Sequence, residues 1–134
     1  MKRFIYAIML LTTIASCSKE DDIDDIFVGR NWKLSYIQEG NIRRNSNKDY
    51  SILFQENTFE ATLPGGKNIK GNWRANGETR SFNCANVKAS GSLRGDTIAE
   101  KMLQILTKAQ HYAGDENYLQ IKEQHNVYIQ FHNR

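Results

Sequence analysis

Apolar and polar residues alternate along most of the chain beyond residue 27, with the two-residue period of half-buried β-strands. The first such segment places Trp32, Leu34 and Tyr36 on one side and Lys33 and Ser35 on the other. Further alternating segments lie at 50–54, 59–63, 69–73, 82–89, 119–121 and 127–131. Because only short turns separate most of these segments, the pattern predicts antiparallel neighbours, whereas parallel strands need long crossovers.

Beyond Asp96 the period changes to that of a helix. The apolar positions that share one helical face are Ile98, Met102, Ile105, Leu106 and Ala109. Thr97 and Glu100 have the spacing of a capping box, which predicts that the Thr97 hydroxyl caps the helix. The sequence therefore predicts one helix near 97–112 in a mainly β (α+β) fold, a compact antiparallel sheet or partly closed barrel of about seven strands.

The connections between these elements also have recognisable patterns. The polar segment 39–49 predicts a loop, residues 64–67 a tight turn, and residues 124–126 the turn of a closing hairpin. Phe82 and Val87 fall on opposite parities of one strand, and a bulge near residues 85–86 would reconcile them.

The first sixteen residues have the parts of a signal peptide. Two basic residues precede an apolar run at 4–11, which is too short for the roughly 20 residues that a membrane-spanning helix needs. Residues 14–17, Ile-Ala-Ser-Cys, resemble the bacterial lipobox, whose cysteine is lipidated before cleavage makes it the N-terminus. The resemblance implies lipidation of Cys17, and an ordinary signal peptide beside a chance cysteine is the alternative.

Residues 17–26 are predicted to form an extended acidic tether, because five carboxylates and one Lys lie between residues 18 and 25. Lys19, Glu20 and Asp21 resemble the export signal of Bacteroidetes lipoproteins, which directs them to the outer leaflet of the outer membrane. The resemblance implies an outer-membrane, lipid-anchored protein on the cell surface. The alternatives are a generic acidic spacer and a domain that faces the periplasm.

The remaining residues, 27–134, are enough for a single β domain with its own hydrophobic core. Of the 18 Lys and Arg residues of the chain, 15 lie beyond residue 25, against 10 of the 15 Asp and Glu residues, so this domain has five excess positive charges. Lys and Arg never form more than a pair, which argues against nucleic acid as a partner. The charge suits an anionic glycan, but lysines scattered over strands explain it equally well.

The sequence predicts no catalytic centre, no metal site and no cofactor. With Cys17 lipidated, Cys84 has no disulfide partner and is expected to be a small buried strand residue. His111, His125 and His132 lack metal-ligand spacing. No titratable residues converge with catalytic spacing, so the protein is predicted not to be an enzyme.

Two sets of residues are candidates for binding. Trp32, Tyr36 and Trp73 are a candidate ligand pocket at the mouth of a small sheet, although aromatic residues at strand parity are more often core. Arg43, Arg44 and Lys48 are a candidate basic rim. Three further cations would join this rim if the loop and the 69–73 strand converge: Lys67, Lys70 and Arg74.

Several short motifs resemble the META domain. They are Gly29–Leu34, Gly71–Trp73, the Glu-led helical segment Glu100–Leu106, and the closing pair Tyr118–Ile121 and Tyr128–Phe131. The opening and ending are also similar to small lipocalin-like lipoproteins of Bacteroidetes. The resemblance implies an extracytoplasmic, non-enzymatic accessory role and supplies no catalytic residues.

The functional prediction is an outer-membrane lipoprotein that displays a small non-catalytic β domain. Its partners are the membrane, through the lipid anchor, and an unknown small ligand, glycan or protein. A META-type envelope-stress or enzyme-inhibitor protein is the alternative.

Overall fold

The computed structural model describes residues 22–133, which form two helices and nine strands. Helix α1 spans Ile23–Phe27 and helix α2 spans Thr97–Lys108. The strands are β1 (Asn31–Glu39), β2 (Ile42–Arg44), β3 (Ser51–Phe54), β4 (Thr58–Leu63), β5 (Lys67–Asn76), β6 (Ser81–Ala89), β7 (His111–Gly114), β8 (Tyr118–Gln124) and β9 (Val127–Asn133).

All neighbouring strands are antiparallel and belong to one sheet, in the order β2-β1-β3-β4-β5-β6-β7-β8-β9. The long strand β1 also pairs with β9, so the sheet closes into a ring. The ring is narrowest between β6 and β7, where Ser81 and His111 are the one paired position, and α2 packs along β6. The mainly β antiparallel fold with one principal helix is confirmed, with a ring-like sheet that is not a barrel.

The sheet has nine strands where the sequence predicts about seven. Strand β2 lies inside the predicted loop 39–49 and forms a short hairpin with the end of β1. Strand β7 occupies the end of the predicted helix, because α2 stops at Lys108 and Ala109 has extended backbone. The Gln110 amide then donates to the Lys122 carbonyl of β8. Strands this short are stabilised by their partner strands, and they contain too few residues to show an alternation of apolar and polar positions.

The start of α2 also differs from the prediction. Asp96 is the N-cap, and its carboxylate accepts from the Ala99 amide at 3.0 Å. The same carboxylate accepts from the Tyr50 hydroxyl at 2.8 Å, which joins the helix to the start of β3. The prediction that Thr97 caps the helix is therefore wrong by one residue.

Helix α1 lies inside the segment predicted as an extended tether. The Asp22 side chain accepts from the Asp25 amide, and Ile26 and Phe27 are buried. Residues 23–26 are therefore helical and not extended, and the apolar residues at the end of α1 are part of the core. The predictions for residues 1–21, which include the signal peptide, Cys17, Lys19, Glu20 and Asp21, concern residues outside the described range.

Phe27 is at the centre of an aromatic cluster inside the ring. Its ring stacks on Trp73 with centroids 4.8 Å apart and on Phe82 at 5.5 Å, and it meets Phe54 edge-on at 5.0 Å. Gly71 leaves space for the Phe59 ring, which packs beside Phe54, because a Cβ at position 71 would lie 2.9 Å from the Phe59 ring. The core contains no buried charged or polar residue among those described.

The predicted turns and bulge are confirmed. A short 3-10 turn at Pro64–Gly66 joins β4 to β5, and His125 and Asn126 connect β8 to β9. In β6 the register shifts so that Asn86, with φ of 55°, and Val87 face Gly71. The bulge returns the apolar side of β6 to the interior after the change of parity.

A candidate binding face

The structure separates the three residues of the candidate pocket. The register between β1 and β9 shifts between Leu34 and Tyr36, which places an extra residue, Ser35, in the strand. Trp32 and Ile37 are fully buried on the inner face, whereas Tyr36 lies on the outer face and is half-buried. A strict two-residue period predicts the opposite orientation for Tyr36, and the bulge is the reason that it fails.

The two tryptophans are parts of the core. Trp73 belongs to the aromatic cluster, and its indole N–H donates to the Gln55 carbonyl at 2.7 Å. Trp32 is fully buried, and its indole N–H has no hydrogen-bond partner among the described residues. Neither ring therefore shares a cavity wall with Tyr36.

The structure also divides the candidate basic rim. Arg43 lies on the outer face above Tyr36, Arg44 turns inward to Glu39, and Lys48 lies in the loop before β3. The cations predicted to join the rim are placed away from it: Lys70 and Arg74 lie on β5, with β3 and β4 between them and β1, and the Lys67 amine donates to the Ser92 carbonyl.

Strands β8, β9, β1 and β2 bring a different group of residues together on the outer face. Cross-strand partners share a face of the sheet, so the pairings define two rows across it. One row is Gln120, Gln130 and Tyr36. The other row is Lys122, Tyr128, Gln38 and Arg43. These seven residues are called the tyrosine–glutamine face below.

The side chains of this face are held by contacts with one another. The guanidinium carbon of Arg43 lies 3.9 Å from the centre of the Tyr36 ring, and its Nε donates to Gln38 Oε1 at 3.0 Å. The Tyr36 and Tyr128 rings meet at 6.3 Å, and the Lys122 amine lies 5.7 Å from the centre of the Tyr128 ring. Cations above aromatic rings are attracted by the ring quadrupole, so these contacts limit the motion of two long side chains.

The glutamines form a second part of the network. Gln130 Oε1 accepts from Gln120 Nε2 at 2.8 Å and from the Tyr36 hydroxyl at 3.4 Å. Burial, and after it the neighbouring Tyr36 phenol, raise the pKa of Tyr128, while Arg43 acts in the opposite direction. The Tyr128 phenol therefore stays a neutral hydrogen-bonding group in neutral solution.

No carboxylate lies on the tyrosine–glutamine face. The four strands contain two acidic residues, Glu39 and Glu123, and both point to α2. Glu39 binds the Lys101 amine at 2.6 Å and Arg44 Nε at 3.2 Å, and Glu123 accepts from Gln104 at 3.4 Å. These cations, Lys101 before Arg44, hold the pKa of Glu39 below its usual value.

A polar cleft of about 410 Å³ adjoins the face. It forms where β1 leaves β3, and Lys33, Lys48, Asp49 and His132 contribute to its lining. His132 pairs across the sheet with Lys33, and its Nδ1 lies 2.6 Å from the Ser35 hydroxyl. Lys33 and Lys48 have no ion-pair partner within the described part of the chain.

The remaining chemical candidates are dispersed. Burial raises the pKa of the Cys84 thiol to about 12, so this group is protonated in neutral solution and is a poor nucleophile. Residues 22–133 contain no group of three His, Cys, Asp or Glu side chains that would hold a metal ion. The same residues include no helix with the length and apolar character needed to cross a bilayer.

The sequence pattern indicates Tyr36 and Arg43 as candidate binding residues but does not indicate the face to which they belong. Gln38, Gln120, Lys122, Tyr128 and Gln130 alternate with buried residues of β1, β8 and β9, and no sequence motif assigns them to a binding site. The signal available in sequence is the lack of acidic residues among these outward positions.

The fold and this face define a small, ring-like antiparallel β domain that presents a basic, aromatic surface on one side. A family model matches residues 18–133 and is described as "Domain of unknown function (DUF4847)". The chain belongs to the DUF4847 family. The META-like and lipocalin-like resemblance stays an interpretation that this match does not test.

A solved structure has the same fold. It is the 1.00 Å crystal structure of a DUF4847 family protein from Bacteroides vulgatus ATCC 8482, with a TM-score of 0.62 and 21% identity. The similarity covers 83% of this chain and 96% of that one. No curated protein matches the chain.

Proposed function

We propose that this protein is a lipid-anchored, non-catalytic binding module that is displayed at the cell surface, and that its ligand binds on the tyrosine–glutamine face. The observation that carries the proposal is the arrangement of Arg43, Lys122 and the two tyrosines on a face with no carboxylate. Cations that are held in place and are not neutralised by a neighbouring carboxylate favour the binding of an anionic ligand.

The anchor is supported by the position of the family domain along the chain. The family model begins at residue 18, directly after Cys17, and α1 begins at Ile23. About five residues therefore separate the lipidation site from the first helix, a span of at most about 18 Å. A domain on so short a connection stays close to the membrane surface.

Lipid attachment is tested by the intact mass of protein extracted from membranes. We expect loss of residues 1–16 and a diacylglyceryl adduct on Cys17. We also expect Cys17→Ala to release the domain from the membrane fraction. An unmodified N-terminus at any other residue would contradict lipidation.

Surface display is tested by protease treatment of intact cells. The expected result is digestion of the domain while a periplasmic marker stays intact. Full protection would place the domain on the periplasmic side.

Ligand binding is tested with arrays of glycans, lipids and peptides. Tyr128→Ala is the variant of the binding face, and Arg74→Ala, on the distant strand β5, is its matched surface control. We expect a ligand whose binding is lost in Tyr128→Ala and kept in Arg74→Ala. Equal binding by both variants would remove the face as the site, whereas face-dependent capture of an enzyme would favour the META-type inhibitor alternative.

A further inference from the structure

We infer that the ligand of the tyrosine–glutamine face is a polysaccharide that carries carboxylate or sulfate groups, with Arg43 as the residue that binds the acidic group. This inference rests on the proposed function and names the ligand class for the same face. Three features of the face support it. Arg43 has no ion-pair partner among the described residues, amide and phenol groups lie beside it, and a path of cations, called the basic path below, runs from Arg43 and Lys122 to Lys33 and Lys48.

Arg43 is held in position but is not neutralised. Its Nε bond to Gln38 and its stacking on Tyr36 fix the guanidinium plane, and no carboxylate lies within ion-pair distance among residues 22–133. Its two terminal nitrogens have no hydrogen-bond or ion-pair partner among the described residues. A fixed guanidinium fork matches the planar oxygens of a carboxylate and binds sulfate oxygens in the same way, with little entropy lost on binding.

Arg44 provides the contrast within the same strand. It points to the opposite side of the sheet, where Glu39 already accepts from its Nε at 3.2 Å. Glu39 also binds Lys101 of α2, so the charges of Glu39, Arg44 and Lys101 are already paired with one another. An added anion can therefore pair with Arg43, whereas Arg44 is already paired with Glu39.

The groups around Arg43 suit hydroxyl-rich ligands better than lipids. Gln120 and Gln130 offer amide donors and acceptors, and the Tyr36 and Tyr128 rings offer half-buried apolar surfaces between them. A sugar ring presents both hydroxyl edges and a C–H face, and it uses both kinds of group. The exposed aliphatic residues among those described, Ile42 and Leu53, lie off this face, so the face offers no aliphatic patch for acyl chains.

The basic path is longer than one sugar. From Tyr128 to His132 along β9 is four residues, or about 14 Å at the rise of an antiparallel strand. His132 is paired with Lys33 at the edge of the cleft, whose lining also includes Lys48 and the carboxylate of Asp49; neither lysine has an ion-pair partner among residues 22–133. Acidic groups that repeat along a polymer would therefore meet Arg43 and Lys122 at one end and Lys33 and Lys48 at the other.

The test uses the full chain, extracted in a non-ionic detergent, and measures its affinity for defined probes. Polygalacturonate is the carboxylate probe and dextran sulfate is the sulfate probe. Neutral dextran, polyglutamate and mixed micelles with phosphatidylglycerol are the controls for an uncharged glycan, an acidic peptide chain and an anionic lipid. The comparison of the first two probes decides which acidic group the face takes.

The expected result is binding to at least one acidic polysaccharide, weaker in high salt, and about tenfold or more tighter than to dextran, polyglutamate or the anionic micelles. Arg43→Gln should lose about tenfold in affinity, and Arg44→Gln should change it by less than about twofold. Arg43→Lys should lose affinity as well, because an ammonium keeps the charge but lacks the fork. A galacturonate monomer should bind more weakly than the polymer.

Other outcomes overturn the inference and are distinguishable from failure of the proposed function. Preference for dextran, polyglutamate or the anionic micelles that still depends on Arg43 keeps the binding face and rejects the acidic polysaccharide. Equal losses in Arg43→Gln and Arg44→Gln would reject Arg43 as the binding residue. Absence of face-dependent binding to every probe and on the arrays would reject the proposed function itself.

Discussion

Aromatic rings lie on both sides of the nine-stranded sheet, but their surroundings differ. On the inner side, Phe27, Trp73 and Phe82 contact one another and are closed to solvent. On the outer side, Tyr36 and Tyr128 contact cations and amides and keep part of their surface exposed. Aromatic rings in a strand therefore do not by themselves indicate a pocket, and the partners of each ring decide whether it stabilises the fold or is available to a ligand.

The charges follow the same division. Glu39, Arg44 and Lys101 neutralise one another between the sheet and α2, while Arg43 and Lys122 have no acidic partner in the described part of the chain. An ion-paired cluster contributes to stability, whereas unpaired cations cost some stability through repulsion and are useful only in binding. The comparison predicts that changes on the inner side affect unfolding and that changes on the outer side affect binding.

The largest effect is expected from Phe27→Ala. Removing this ring leaves a cavity among Trp73, Phe82 and Phe54, and should lower the free energy of unfolding by about 3–5 kcal/mol. Tyr36→Ala is the outer control and should cost less than about 1 kcal/mol. Denaturant unfolding of both variants in a Cys17→Ala background measures the difference. Similar losses of unfolding free energy in the two variants would contradict the proposed division between core rings and surface rings.

A smaller effect is expected at the start of α2. Asp96→Ala removes the helix cap and the acceptor of the Tyr50 hydroxyl, and should cost about 1–2 kcal/mol. Thr97→Ala should stay within about 0.5 kcal/mol, because Thr97 is the first helical residue and not the cap. The same unfolding measurement checks both, and a larger loss for Thr97→Ala would show that the helix begins one residue later.

The smallest effect is expected from Glu39→Gln and is seen in its pH dependence. Because Lys101 and Arg44 lower the pKa of Glu39 below 4.5 in the folded state, the carboxylate stabilises the fold above its unfolded pKa. That contribution is lost as the pH falls through the lower folded pKa. Wild type should therefore lose more stability than Glu39→Gln between pH 7 and pH 3, and parallel curves would contradict the role of this cluster.

Much of the architecture follows from local patterns in the sequence. Alternation predicts most strands because half of each strand faces one shared core, as with Phe59, Ala61 and Leu63 in β4. The helical face of α2 is predicted for the same reason, since Met102, Ile105 and Leu106 all reach that core. Where an element is long enough to repeat its period, its sequence contains the information.

The sequence by itself determined the fold class, the basic character of the domain and the features that indicate lipidation of Cys17. Only the tertiary structure decided the orientation of Tyr36, since the bulge at Ser35 depends on the register with β9. Strands β2 and β7 and the last turn of α2 depend on their partners in the same way. The tyrosine–glutamine face is built from two hairpins, β1–β2 and β8–β9, that are distant in sequence, so only the pairing of β1 with β9 brings its residues together.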